Sequence, residues 1–222
     1  MTSEDPLKDG ISSVELVSSM GDDLAVVNAA RVSMNKHTDE FRERDERLIQ
    51  FLARNGHWTP FAQVMLKFRI KAPIFVARQW FKHEVGFVRN EVSRRYVKDT
   101  PEIYVPNDWR MASADIKQGS LDQTHEHTEN IAWLARTCAQ TDVKLYESML
   151  KDGVAPEQAR MVLPQSMYTE WIETASLAAY ARLYRERSQP DAQKEIREYA
   201  LAMGRLVPSS MIYSWYANVY GG

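Results

Sequence analysis

The chain is expected to fold as α+β. Two observations point there. Strand-like segments at 14–18, 63–71 and 167–175 alternate with stretches of helical periodicity, one of them long, over 122–151. The 222 residues also show no repeat, linker or low-complexity tract. That length fits one large domain at roughly 100–200 residues per domain, so a single domain over 1–222 is the simplest reading.

Each element has its own warrant. VELVS (14–18) reads as a short strand, and GDDLAVVNAARVSM (21–34) as a helix with acidic residues in its first turn, where the dipole favours them. DERLIQFLARNG (45–56) sets Leu48, Ile49, Phe51 and Leu52 at helical spacing and stops at Gly56. HWTPF (57–61) is a turn. QVMLKFRIK (63–71) alternates Val64, Leu66, Phe68 and Ile70 with Gln63, Lys67, Arg69 and Lys71, the pattern of a half-buried strand. Pro73 opens a helix over 73–83, where proline is tolerated. Residues 97–120 are loop-rich. On the long helix, Ile131, Leu134, Cys138, Leu145 and Met149 share one face. A short helix over 155–161 stops near Pro164, MYTEWIETA (167–175) is a strand, and helices follow at 176–187 and 191–206, split by Pro190.

Composition excludes several classes. Lys and Arg number 28 against 30 Asp and Glu, so the net charge is −2 and no nucleic-acid coat is expected. The acidic, polar start MTSEDPLKDG has no signal-peptide pattern, and no apolar run is long enough to span a membrane, so a cytoplasmic protein is expected. The single Cys138 excludes an intrachain disulfide framework and a cysteine-based zinc cluster. It is read as a buried small hydrophobe. His125 and His127, two apart, fall on different helix faces, so no metal site is read there.

The chemistry concentrates at 78–96, RQWFKHEVGFVRNEVSRRY, which carries four arginines, a lysine, a histidine, two glutamates and four aromatics. A core segment cannot bury so many charges unpaired, and a loop has no need of so many large apolar groups. Gln79, Lys82 and His83 share a helical face, and Ser93–Tyr96 adds a hydroxyl, two guanidiniums and a phenol. Arginine forks match phosphate oxygens and an aromatic suits a flat ring, so a nucleotide or a diphosphate cofactor is the expected ligand. Surface ion pairs with Glu84 and Glu91 are the bland alternative.

This segment resembles the flavin-dependent thymidylate synthases, whose pattern is Arg-His-Arg, seven residues, then Ser followed shortly by Arg-Tyr. Here Lys82-His83-Glu84 is followed by eight residues and then Ser93-Arg94-Arg95-Tyr96. VELVSSMGDDLAVVNAARVS, NGHWTPF, IKAPIFVARQWF, DGVAPEQARMVLP and RSQPDAQKEIREYA resemble family segments in family order, over nearly the whole chain. The resemblance implies an antiparallel sheet packed with helices, including one long helix. It implies reductive methylation of dUMP to dTMP by methylenetetrahydrofolate and an FAD reduced by NADPH, with no enzyme nucleophile. It also implies a homotetramer with shared active sites, small-molecule substrates, and neither nucleic acid nor membrane as partner.

The resemblance places Gln79, Glu91, Ser93, Arg94 (through its backbone) and Arg95 on dUMP, Arg160 on its phosphate and Arg187 against the uracil ring. A guanidinium there stabilises charge as C5 becomes nucleophilic, without surrendering a proton. His57, Ser33 and Thr59 resemble flavin-proximal positions, His57 with a catalytic role. Lys82, His83 and Glu84 stand where the family holds FAD, and Ser176, Ala178 and Arg182 stand where it often carries asparagines and an arginine facing the flavin.

The departures cluster. Lys82 keeps a charge without the fork, and Glu84 reverses one. A carboxylate about 4 Å from a phosphate at an effective dielectric near 20 costs on the order of 4 kcal/mol. Either Glu84 points away and pairs with an arginine, or the flavin phosphates sit differently; Arg89 or Arg182 is the expected replacement cation. A flavin-dependent pyrimidine nucleotide hydroxymethylase and a non-catalytic nucleic-acid-binding module stand as rival readings.

Overall fold

A computed structural model describes residues 3–113 and 120–221. Among the described residues five strands form one sheet: β1 (Ser3–Glu4), β2 (Ser13–Met20), β3 (Met65–Pro73), β4 (Phe87–Glu91) and β5 (Tyr168–Ser176). Their order is β1-β2-β3-β5-β4, and every neighbouring pair is antiparallel. The helices among the described residues are α1 (Asp23–Arg31), α2 (Glu43–Arg54), α3 (Ile74–Trp80), α4 (Thr128–Lys151), α5 (Pro156–Ala159), α6 (Leu177–Arg187), α7 (Lys194–Arg205) and α8 (Ile212–Tyr220). The expected antiparallel α+β architecture with one long helix is what the structure shows. None of the described helices is long and apolar enough to cross a membrane.

The register explains the core. Leu66, Phe68 and Ile70 of β3 face Ala175, Glu173 and Trp171 of β5, and these side chains are buried on one face. The opposite face carries Lys67, Arg69 and Lys71 against Thr174, Ile172 and Glu170, with Arg69 and Glu170 ion-paired across the strands. On the buried face, Tyr180 of α6 stands edge-on to Phe68 and Phe87, with ring centroids 5.1 and 5.0 Å away. Gly204 lets α7 close on α6, since a Cβ there would lie 2.5 Å from Tyr184 Cε2.

Caps fix the ends. Asp22 accepts from the Ala25 backbone N–H at 2.8 Å to start α1, and Ser176 accepts from that of Ala179 at 3.3 Å to start α6. Asp23, itself buried, caps α8 from far away in sequence by accepting from the backbone N–H groups of Tyr213 and Ser214.

Some boundaries differ from expectation. The helix expected over 73–83 runs only from Ile74 to Trp80, so Lys82 and His83 do not share a helical face with Gln79. The end is tightened by a backbone bond from His83 N to Trp80 O (3.1 Å), and Arg89 then takes the His83 carbonyl. The segment after Gly86 is strand β4, and α8 is a further helix that periodicity did not mark. Residues 114–119 of the expected 97–120 loop lie outside the described residues.

Cys138 is exposed, not buried. The buried stripe of α4 is Ala132, Ala139 and Tyr146, seven residues apart, while Leu134 and Leu145 remain 47% and 48% exposed in the single chain. The helix buries two alanines and a tyrosine and leaves Leu134 and Leu145 outward.

Candidate active site

The loop after α3 runs antiparallel along α6. Gly86, at φ +87°, lies against Ala179, where an added Cβ would sit 3.2 Å from the alanine methyl. One step along, Arg182 Nη2 donates to the Val85 carbonyl at 2.5 Å. At the far end, Arg187 Nε donates to His83 Nε2 at 2.9 Å, and its Nη2 reaches the Gln79 carbonyl at 3.4 Å. Gln79, His83 and Arg187 are thus one cluster built from the end of α3, the following turn and the last residue of α6.

His83 is 8% exposed. Its burial, then the Arg187, Arg182 and Arg89 guanidiniums, hold its pKa below the ordinary 6.5, with Glu186 opposing. The ring is therefore neutral near pH 7. Because Nε2 accepts, the proton sits on Nδ1. Arg187 keeps donors free beyond those two contacts, since a guanidinium carries five N–H groups.

Behind His83 lies a buried ion pair. Arg89 donates from Nε to Glu173 (2.6 Å) and from Nη2 to the His83 carbonyl (2.6 Å), and its guanidinium lies 4.5 and 5.1 Å from the Phe87 and Phe81 ring centres. Glu173 is fully buried and also accepts from Trp80 Nε1 at 2.8 Å. Burial pushes its carboxyl upward, and Arg89 and the Trp80 N–H pull it back. Arg89 is therefore not the replacement cation that the sequence suggested, because Glu173 and a backbone carbonyl already occupy it. Glu84 is exposed and makes no ion pair among the described residues, so the pairing expected for it is not formed.

The rest of the basic segment flanks this cluster. Glu91 ends β4 and accepts from Thr169 Oγ1 at 2.6 Å. Ser93 Oγ accepts from Arg95 N (3.4 Å) and Nε (3.3 Å), Arg94 Nη1 donates to the Asp99 carbonyl, and the Arg95 guanidinium lies 5.3 Å from the Tyr96 ring centre. Lys82 and Arg95 are exposed. Ser176 caps α6, so its oxygen is in use while its hydroxyl proton remains available.

Four expected residues stand apart. Ser33 donates to the Ala30 carbonyl, His57 stacks on Phe51 with 6.1 Å between ring centres, Thr59 precedes the 3-10 turn Pro60–Gln63, and Arg160 reaches the Glu157 carbonyl. All four are exposed, and no hydrogen bond among the described residues ties them to the Gln79–His83–Arg187 cluster.

Sequence reasoning missed a polar relay on the other side of Gln79. Gln79 Nε2 donates to Gln193 Oε1 (2.5 Å), Gln193 Nε2 donates to Glu195, and Glu195 holds Arg110 through two bonds of 2.8 and 3.1 Å. Gln193, Glu195 and Arg110 line a cavity of about 510 Å³ with Phe75, Tyr104 and Trp109. Burial, and then Glu195, push the Tyr104 phenol up to about 12. Only the acidic charge in QKEIRE hinted at this relay; a pairing 85 residues apart has no local signature.

Chemically, the strip along α6 offers Lys82, Arg182 and Arg187 against Glu84 and Glu186, with a neutral histidine between them. It suits an anionic ligand beside a polarisable ring.

Residues 15–211 match the family model described as Thymidylate synthase complementing protein. A flavin-dependent thymidylate synthase of Thermus thermophilus is 42% identical over 204 residues, covering 92% of this chain and 74% of the relative. One of Thermosipho africanus is 39% identical over 194 residues, covering 87% and 84%. Among solved structures, the UMP/dUMP methylase PolB from Streptomyces cacaoi bound with 5-Br dUMP matches with a TM-score of 0.82 at 30% identity, over 93% of this chain and 94% of that one.

Proposed function

The chain belongs to the thymidylate synthase complementing protein family, the flavin-dependent thymidylate synthases, and from that premise we propose that it converts dUMP to dTMP with methylenetetrahydrofolate as the carbon donor. In that reaction the methylene carbon passes to C5, which loses its proton, the folate leaves as tetrahydrofolate, and the carbon is reduced to methyl with two electrons that a bound FADH2 would supply and NADPH would restore. The observation that carries the reading is the Arg187–His83 hydrogen bond of 2.9 Å, which fixes a permanently charged guanidinium beside an imidazole held neutral.

The α6 strip fits a diphosphate cofactor by its chemistry. Lys82 and Arg182 have unspent donors, the Ser176 hydroxyl proton is available, and Gly86 keeps the loop close to α6. Lys82, His83, Ser176 and Arg182 would hold the flavin, with Ser33, His57 and Thr59 also assigned to it. Glu84 stays solvated at the edge, where its charge is screened. When bound, the reduced flavin supplies the hydride equivalent.

The chain's own residues do the rest. Gln79, Glu91, Ser93, Arg95 and the Arg94 backbone bind and orient dUMP, and Arg160 takes its phosphate. Arg187 stabilises the negative charge that develops on the uracil as C5 becomes nucleophilic. His83, lacking an Nε2 proton, accepts from Arg187 and sets its direction. No thiolate is used: Cys138 is exposed on α4 and its thiol is in no catalytic cluster.

Ser33, His57, Thr59 and Arg160 stand apart from the cluster in one chain, and Trp133, Leu134 and Leu145 leave α4 with an outward apolar face. Both features support a homotetramer whose sites draw on several subunits. A cytoplasmic location and a single domain over 1–222 complete the reading. The likeness to a UMP/dUMP methylase favours one second reading, acceptance of UMP beside dUMP. Anaerobic incubation of FADH2-loaded protein with methylenetetrahydrofolate and either nucleotide, followed by mass spectrometry, tests both: dTMP supports the first, 5-methyl-UMP the second, and a hydroxymethyl nucleotide refutes them.

A further inference from the structure

The polar relay behind Gln79 fixes a direction as well as a contact. Gln79 is the last residue but one of α3, Gln193 immediately precedes α7, and Glu195 lies in the first turn of α7, where the helix dipole favours a carboxylate. Glu195 is 6% exposed. Burial raises its carboxyl, but its bonds to Arg110 and Gln193 outweigh that and hold it below its ordinary value. It is therefore an anion near neutral pH, and a carboxylate only accepts hydrogen bonds. Arg110 is pinned in turn: its Nε donates to Ser120 Oγ at 2.6 Å, and its backbone pairs with Thr124.

The charge dictates the sense of two amides. Glu195 Oε2 carries no proton, so Gln193 must turn Nε2 towards it, at 2.9 Å. Gln193 Oε1 then faces Gln79, and only Gln79 Nε2 can meet it, at 2.5 Å. In the opposite sense the Gln193 carbonyl would stand against the carboxylate, two acceptors with no proton between them. Gln79 is left with Oε1 unspent, and no donor among the described residues meets that oxygen.

An acceptor is the scarce group here. Arg95, Arg160 and Arg187 offer only donors, and the Glu91 carboxylate already accepts from Thr169. Arg187 Nη2 reaches the Gln79 backbone carbonyl, so the amide belongs to the same residue that anchors the guanidinium.

We propose that Glu195, acting through Gln193, is a positioning residue that makes Gln79 an obligate acceptor, so that the site selects a nucleotide bringing a hydrogen-bond donor to Gln79 Oε1. The nucleotide dUMP has two such donors, the ring N3–H and the 3′-hydroxyl, which are the same chemistry to an amide oxygen. The inference rests on the proposed function for the identity of the nucleotide and adds to it the relay, which that reading does not use.

The test is calorimetric titration of the FAD-loaded protein with dUMP, with 2′,3′-dideoxyuridine monophosphate, which lacks the 3′-hydroxyl, and with dCMP, whose N3 carries no proton. Each is measured in the wild type, in Gln193→Met and in Glu195→Gln. Gln193 is half-buried, and Gln193→Met cuts the relay at similar volume while sparing the Glu195–Arg110 pair, so the test holds even where Glu195→Gln fails to fold. In Glu195→Gln the one remaining oxygen stays with Arg110, an NH2 group faces Gln193, and both amides are free to reverse. The expected result is a wild-type preference for dUMP over at least one analogue that falls about tenfold in each variant that folds. A fall measured against the dideoxy analogue assigns the donor to the sugar, and one measured against dCMP assigns it to the ring. Purely structural support would weaken all three nucleotides together and leave their ratios as they were. Unchanged ratios in either folded variant therefore overturn the proposal, with dUMP still bound and the proposed function intact. A wild-type chain that binds none of the three refutes that function as well.

Discussion

Arg187, the last residue of α6, donates from Nε to Nε2 of His83 across 2.9 Å. The bond joins two segments 104 residues apart in sequence and requires the imidazole to be unprotonated at Nε2. Position, tautomer and charge at the centre of the cluster are thereby coupled, and several consequences can be measured.

Arg187→Lys keeps the charge and loses the fork. It is expected to lower kcat/KM for dTMP formation by about 10²–10³, the cost of removing an electrostatic donor from a developing anion. The melting temperature should barely change, because Arg187 is only half-buried. Steady-state assays beside thermal melts check this.

Glu173→Gln leaves Arg89 buried without its counter-charge. Breaking such a pair costs about 3–5 kcal/mol, measurable by urea denaturation. The double variant Arg89→Met/Glu173→Gln should lose less than the sum of the two single changes, since it removes both charges together.

His83 ties stability to pH. Its folded pKa lies below 6.5, so between that value and 6.5 the unfolded chain binds more protons than the folded one. Its contribution is fully present above about 6.5, declines as pH falls below it by at most about 1.4 kcal/mol per unit, and levels off beneath the folded value. Melting curves from pH 5 to 8 should show this limb in the wild type and its loss in His83→Gln.

Arg182→Ala is expected to weaken FAD about tenfold by removing one of the cations that the strip offers near Glu84. Equal FAD affinity in the variant, followed by flavin fluorescence, would remove Arg182 from the cofactor site.

Much of this was legible in the sequence, for physical reasons. The alternation of 63–71 found β3, because one face meets the core and the other carries Lys67, Arg69 and Lys71. Strand β4 escaped because its buried face holds Phe87 and Arg89 while Val88 is 71% exposed, so the polar residue is inside and the aliphatic one outside. Only Glu173, 84 residues later, makes that inversion tolerable. Helix α8 escaped because its cap, Asp23, comes from α1. In the site, Gln79, His83 and Arg187 were named in advance and do meet. The Arg89 assignment failed because a basic residue in a cationic segment reads as ligand-facing until its buried partner is seen. Cys138 failed because α4 turns Ala132, Ala139 and Tyr146 inward instead of its larger aliphatic residues.

The most direct test is a single turnover of Cys138→Ala, loaded with FADH2 under anaerobic conditions and mixed with dUMP and methylenetetrahydrofolate. The predicted result is dTMP at about one equivalent per flavin, at the wild-type rate, because the sulfur is exposed and outside the reaction. Loss of product in a protein that still folds and still binds dUMP would contradict methylation without an enzyme nucleophile.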